Sequence, residues 1–167
     1  MTKVILVDSD ALFALNSQKD ANFKKAKQIA KSLTQKNFDF AISNFVLAET
    51  VTLLNYRIGH RKAVIFLTKL AKDQFPIITI DQDLENLTYK IFRKQTSKNV
   101  SVTDCANMAV LKRFGWETIF SFDKIYLKNK CKLAQPWKRL SDPGSDRILL
   151  TPRIMFSLTL DKTVNNC

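Results

Sequence analysis

Short apolar runs, too brief to be helices, alternate along this chain with longer stretches of helical period, and that alternation admits few folds. Val4 to Val7, Phe38 to Ile42, Pro76 to Ile80 and Thr118 to Phe122 are the short runs. Each reads as a strand, because it is short, rich in β-branched or aromatic side chains and bounded by polar residues. Pro76 stands at the start of its run, where a missing backbone donor is tolerated. Ala11 to Leu15 reads as a short helical turn. Ala21 to Thr34 carries Phe23, Ala26, Ile29, Ala30 and Leu33 at helical spacing, with lysines on the other face. Asn44 is placed to cap a helix through Arg57, and Gly59 to end it. Arg61 to Lys72 and Asp81 to Lys94 are further helices, and Thr103 is placed to cap another that runs through Phe114 to Gly115. Strands alternating with helices predict an α/β chain with a largely parallel sheet.

The length of 167 residues suits one domain, with an appendage. The composition shifts after about Ala134, where Pro136, Pro143, Gly144 and Pro152 come close together. We therefore expect a folded domain over 1–134 and an irregular C-terminal extension over 135–167, with at most a lone strand at Ile154 to Leu160. The net charge of +12 calls for an acidic partner, of which nucleic acid is the commonest. The lysine run Lys24, Lys25, Lys27 and Lys31 is equally well explained as a solvated helix face. Cys105, Cys131 and Cys167 form no CxxC and no disulfide framework, which suits a reducing compartment. Asp8 and Asp10 interrupt the first apolar run, so no signal peptide is read, and no stretch is long enough to span a membrane. A cytoplasmic protein is the expectation. Only three glycines are present, which excludes glycine-rich nucleotide loops, and His60 alone cannot build a histidine metal site.

Four acids stand at informative places. Asp8 follows the first strand and Asp123 the last, and ligands of a parallel sheet bind at the carboxyl ends of its strands. Asp104 lies in the first turn of a helix. Glu49 has Phe45, Val46 and Leu53 as helical neighbours, an apolar setting in which an ionised carboxylate is costly unless paired or bound to a cation. Taken singly, each acid has an ordinary explanation. Brought together they would repel one another, and a bound Mg²⁺ or Mn²⁺ would reverse that repulsion. Such an all-oxygen site disfavours zinc, and it could activate a water for attack on phosphorus while the basic surface holds a phosphodiester backbone.

In that order and spacing, ILVDSDALFAL (5–15), ISNFVLAETVTLL (42–54), SVTDCANMAVLKRFG (101–115) and IFSFDKIY (119–126) resemble the PIN domain family, in particular its toxin type. FPIITIDQDLENLTYKIF (75–92) resembles the family's intervening strand and helix. The resemblance implies a three-layer α/β/α fold around a mostly parallel sheet of four to five strands. It further implies a metal-dependent endoribonuclease, with Asp8, Glu49, Asp104 and Asp123 as catalytic and metal-binding acids. Ser9 and Thr103 resemble hydroxyl residues that stand beside those acids in the family, although helix capping also accounts for them; Asp10 is expected to be a supporting or solvated acid. RNA is the implied substrate, an antitoxin protein an implied partner, and a homodimer the implied assembly. Three rival readings remain. One is a PIN nuclease of RNA processing or decay. Another is a haloacid dehalogenase-like phosphatase using Asp8 and Asp10, which leaves Glu49 unexplained. The third is a non-catalytic, basic RNA-binding module.

Overall fold

The computed structural model describes residues 3–135. The extension expected from 135 onward, beyond its first residue, and the strand expected at Ile154 to Leu160 lie outside the described residues. Within them the chain runs β1 (Lys3–Val7), α1 (Ser9–Asn16), α2 (Phe23–Gln35), β2 (Phe38–Ser43), α3 (Asn44–Arg57), α4 (His60–Lys72), β3 (Ile77–Ile78), α5 (Gln82–Phe92), α6 (Val102–Phe114), β4 (Thr118–Phe120), α7 (Ile125–Lys128) and β5 (Lys132–Leu133).

The five strands form one sheet in the order β3-β2-β1-β4-β5, and every pair is parallel. Alternation along β1 divides the core. Ile5 and Val7 join Phe40, Ile42 and Phe120 beneath the helices α1 to α4. Leu6 and Ile119 point the other way, into a cluster built by α5, α6 and α7. The result is the expected three-layer α/β/α arrangement, with the higher of the two strand counts. No helix among the described residues is long and apolar enough to cross a membrane.

The helix starts differ from expectation in instructive ways. Ser43, not Asn44, caps α3, its hydroxyl accepting from Val46 N at 3.2 Å. The Asn44 amide oxygen instead accepts from Ile80 N at 2.9 Å and ties α3 to the segment after β3. Ser101, not Thr103, caps α6, so Asp104 occupies the third helical position. His60 opens α4 with Nδ1 3.1 Å from the Asn55 amide oxygen, a structural contact. β4 stops at Phe120 because the next free amide, Phe122 N, donates to Asp10 Oδ2 at 2.8 Å. The short elements α7 and β5 were not legible in the sequence.

The strand order reverses at β1. From there the chain builds outward through β2 and β3 on one side and through β4 and β5 on the other. A sheet of this kind opens a crevice at the carboxyl ends of the two strands flanking the reversal. Asp8 and Asp123 follow those two strands.

Candidate active site

Asp8 sits where β1 hands over to α1. Its backbone is extended (φ −92°, ψ 163°), and its Oδ1 caps the helix by accepting from Ser9 N at 2.8 Å. Only 4% of the residue is exposed. Two side chains from the other half of the sheet reach it. Asn107 Nδ2, on α6, donates to Asp8 Oδ1 at 2.9 Å. The Tyr126 hydroxyl, on α7, lies 2.9 Å from Asp8 Oδ2 and 3.1 Å from Asp104 Oδ1. Asn107 Nδ2 also donates to the Tyr126 oxygen at 3.0 Å. The second Asp104 oxygen belongs to its helix: Oδ2 accepts from Ser101 N at 2.7 Å and from the Ser101 hydroxyl at 2.8 Å, and Asp104 N returns a bond to that hydroxyl. Asp104 therefore holds α6 in place with one oxygen and faces Asp8 with the other.

Counting protons exposes a deficit in this cluster. Asn107 offers two amide protons and Tyr126 one, yet four close contacts join Asn107, Tyr126, Asp8 and Asp104. With both acids ionised, one contact has no proton between its oxygens. The electrostatics agree. Burial first, then the charges of Asp10 and Asp104, push the Asp8 carboxyl up to about 8, while the bonds from Ser9 N and Tyr126 act against the shift. Burial and the two acids likewise raise Tyr126 well above its ordinary value.

A second group adjoins the first. Asp10 Oδ2 accepts from Phe122 N at 2.8 Å and from the Ser121 hydroxyl at 3.1 Å. Its Oδ1 is buried without a partner. Burial raises its carboxyl, and the Asp123 charge adds to the rise. Asp123 is exposed and accepts from Ile125 N at 2.8 Å, which starts α7 and so helps to place Tyr126.

Of the acids expected from the sequence, Asp8 and Asp104 meet through Tyr126, and Asp123 stands at the edge of the cluster through Asp10. Glu49 lines an open groove of about 540 Å³ together with Phe45, Ala48, Thr52, Leu53 and Thr103. Thr103 precedes Asp104, so groove and cluster share the first turn of α6. Ser9 supports Asp8 through its backbone. Among the described residues, no three His, Cys, Asp or Glu side chains stand close enough to cage a metal ion. Cys105 is fully buried, with its thiol pushed up to about 11 by burial and by Asp104, and is not a poised nucleophile. Sequence reasoning missed Asn107 and Tyr126. Asn107 had a signal: it lies three residues after Asp104, hence on the same helix face, as the one polar side chain in the apolar run Cys105 to Leu111. Tyr126 had none beyond an aromatic ring suited to a core.

A family model described as the PIN domain matches residues 5–133. The chain belongs to the PIN domain family. Over 120 residues this PIN domain is 31% identical to the 23S rRNA-specific endonuclease VapC20 of Mycobacterium tuberculosis, in both strain CDC 1551 / Oshkosh and strain H37Rv; the match spans 72% of this chain and 89% of the relative. A crystal structure of Mycobacterium tuberculosis VapC20, described as a Sarcin-Ricin loop cleaving toxin, matches with a TM-score of 0.69 at 27% identity, covering 76% of this chain and 95% of that one. PIN domain membership displaces the phosphatase reading of Asp8 and Asp10. The contacts of Asp10 agree, since its Oδ2 is spent on the backbone and hydroxyl that follow β4.

Proposed function

We propose that this PIN domain is a metal-dependent endoribonuclease that hydrolyses RNA phosphodiester bonds, and that it is the toxin of a toxin–antitoxin pair. The single observation that carries the reading is the Asp8–Tyr126–Asp104 cluster at the switch point of the sheet, buried at Asp8 and Tyr126 and one positive charge short. A divalent cation suits that deficit. The donors are all oxygen, as Mg²⁺ and Mn²⁺ prefer, and the orphaned Asp10 Oδ1 is a further unpaired acceptor beside them. Asp8 and Asp104 would hold the ion, with Asp123 beside Asp10 and Glu49 in the groove along α6 as further acids. When bound, such an ion supplies Lewis acidity: it makes a water more acidic and offsets charge on the phosphate.

The remaining parts of the reading follow from this chain's own residues and from its relative. Asn107 and Tyr126 orient Asp8, and Ser101 orients Asp104. A structured ribosomal RNA hairpin is the proposed substrate, by analogy with the loop that VapC20 cleaves. An antitoxin partner, a homodimer and a cytoplasmic setting belong to the same proposal. The test is a cleavage assay on that hairpin and on an unstructured RNA. Products with 5′-phosphate and 3′-hydroxyl ends are expected in Mg²⁺ or Mn²⁺ and none in EDTA; undiminished cutting in EDTA would refute the metal-dependent mechanism. Growth arrest on expression, relieved by the product of a small neighbouring gene, tests the toxin assignment against a role in RNA maturation.

The lysine face of α2 acquires a use under this reading. The Lys25 ammonium stands 5.7 Å from the centre of the Phe122 ring, and Phe122 N is the group bonded to Asp10. Lys25 thus stands at the rim of the acidic cluster, where RNA flanking the scissile bond would pass. Lys25→Gln is expected to lower the slope of log affinity against log salt by about 0.7, the contribution of one phosphate contact on a single strand. Fluorescence anisotropy of labelled RNA over a salt series measures it, and an unchanged slope would remove Lys25 from the RNA path.

A further inference from the structure

We infer that Tyr126 is a positioning residue for the cation: its hydroxyl fixes the span between Asp8 and Asp104 and thereby sets how tightly the pair holds a divalent ion. The inference rests on the metal-dependent reading above and adds to it a residue that carries no charge. The Tyr126 oxygen is within hydrogen-bonding distance of one oxygen of each acid, so those two oxygens stand no more than about 6 Å apart. An ion bound to both, at the short bond lengths of Mg²⁺, would draw them to about 4 Å or less. The hydroxyl therefore holds the two carboxyl groups close to a binding span before any ion arrives.

Other contacts make this a built device rather than a chance approach. Tyr126 is fully buried, and its ring packs in the α5–α6–α7 cluster, so the hydroxyl has one place to be. Asn107 Nδ2 donates to the Tyr126 oxygen at 3.0 Å, which leaves the single hydroxyl proton for the acids. Each acid is anchored on its far side by its own helix start, Asp8 by Ser9 N and Asp104 by Ser101. Tyr126 is the only described contact of Asp8 Oδ2 and of Asp104 Oδ1. In the ion-binding form, with both acids ionised, loss of the hydroxyl would leave those two oxygens facing each other as unpaired acceptors, and mutual repulsion would turn them apart. The ion would then have to reassemble the pair. Partners that orient metal ligands in this way are worth about 10–100-fold in metal affinity.

The test is direct Mn²⁺ binding to the RNA-free protein, read from the electron paramagnetic resonance signal of free Mn²⁺. Tyr126→Phe keeps the ring in the core and removes only the hydroxyl. A dissociation constant raised by about tenfold, with an unchanged circular dichroism spectrum, is expected. A purely core-filling Tyr126 would leave Mn²⁺ affinity where it was, and a hydroxyl that merely competes with the ion would make the variant bind more tightly; either result overturns the inference while the metal-dependent reading stands. Wild-type protein that binds no Mn²⁺ overturns both. Should Tyr126→Phe fail to fold, Asn107→Leu removes the donor shared by the hydroxyl and Asp8 Oδ1 and is expected to weaken Mn²⁺ binding in the same direction, with unaltered affinity counting against the inference.

Discussion

Asp8→Asn is expected to abolish RNA cleavage and, in the same molecule, to raise the melting temperature of the metal-free protein at alkaline pH. The two effects have one cause. The substituted amide keeps an oxygen for Ser9 N and Asn107 Nδ2, and its new NH₂ supplies the proton that the Tyr126 contacts lack, so Tyr126 can give its own proton to Asp104. It also removes a buried charge from the neighbourhood of Asp10 and Asp104. In the wild type the Asp8 carboxyl is raised from 3.8 to about 8 on folding. A raised acid contributes stability that is fully present below its unfolded value and is lost as pH climbs through its folded one. Metal-free wild type should therefore lose stability from about pH 4 to pH 9, by on the order of several kcal/mol if the whole shift is expressed. The variant should show a flatter profile, near the wild type at pH 5 and above it at pH 9. Loss of the carboxylate should cost cleavage on the order of 10²-fold or more, the scale on which removal of one preorganised electrostatic group is felt. Calorimetry in EDTA at the two pH values, beside the RNA assay, checks both halves. Parallel melting profiles for the two proteins would show that Asp8 is not the strained group.

Asn107→Asp should act in the opposite direction. Asn107 is fully buried, and its NH₂ is the donor shared by Asp8 and Tyr126. The substitution replaces that donor with an acceptor and sets a new carboxylate against Asp8 Oδ1. Uncompensated buried charge of this kind costs about 3–5 kcal/mol. The metal-free variant is expected to be largely unfolded at pH 8 and to recover toward pH 5, where the added carboxyl and Asp8 are protonated. Circular dichroism across that range reads the transition, and a variant as stable as the wild type at pH 8 would contradict the proton deficit assigned to this cluster.

The sheet and most helices were legible because burial leaves a period in the sequence. Ile5, Leu6 and Val7 are buried on both faces of the sheet and read as a strand, and the α2 stripe is buried at Ala26, Ile29, Ala30 and Leu33, with Phe23 at the helix start only half-buried. Asp8 was legible because a strand running into an acid fixes where that acid goes in a parallel sheet; β4 stops at Phe120, two residues short of the strand end expected before Asp123. Helix starts were less so, since Ser43 and Asn44 are both good caps and only the Ile80 contact separates them. Glu49 was read correctly as lying among apolar neighbours, but periodicity does not say which cleft a helix face lines. Tyr126 and Asn107 were out of reach for a related reason. Their rings and stems obey the rules of a core, and only the direction of one hydroxyl and one amide makes them part of the site.

Asp10 also draws the boundary of β4. By taking Phe122 N it uses the amide that a longer β4 would have offered to its neighbour, and so it acts as the stop signal for that strand. The side chain that flanks the cleft thus also limits how far the sheet can zip. The neighbouring strand closes at the same level, because the Asp8 carbonyl already accepts from Leu12 N at 3.1 Å as α1 begins, so the two strands that flank the cleft both end at an aspartate.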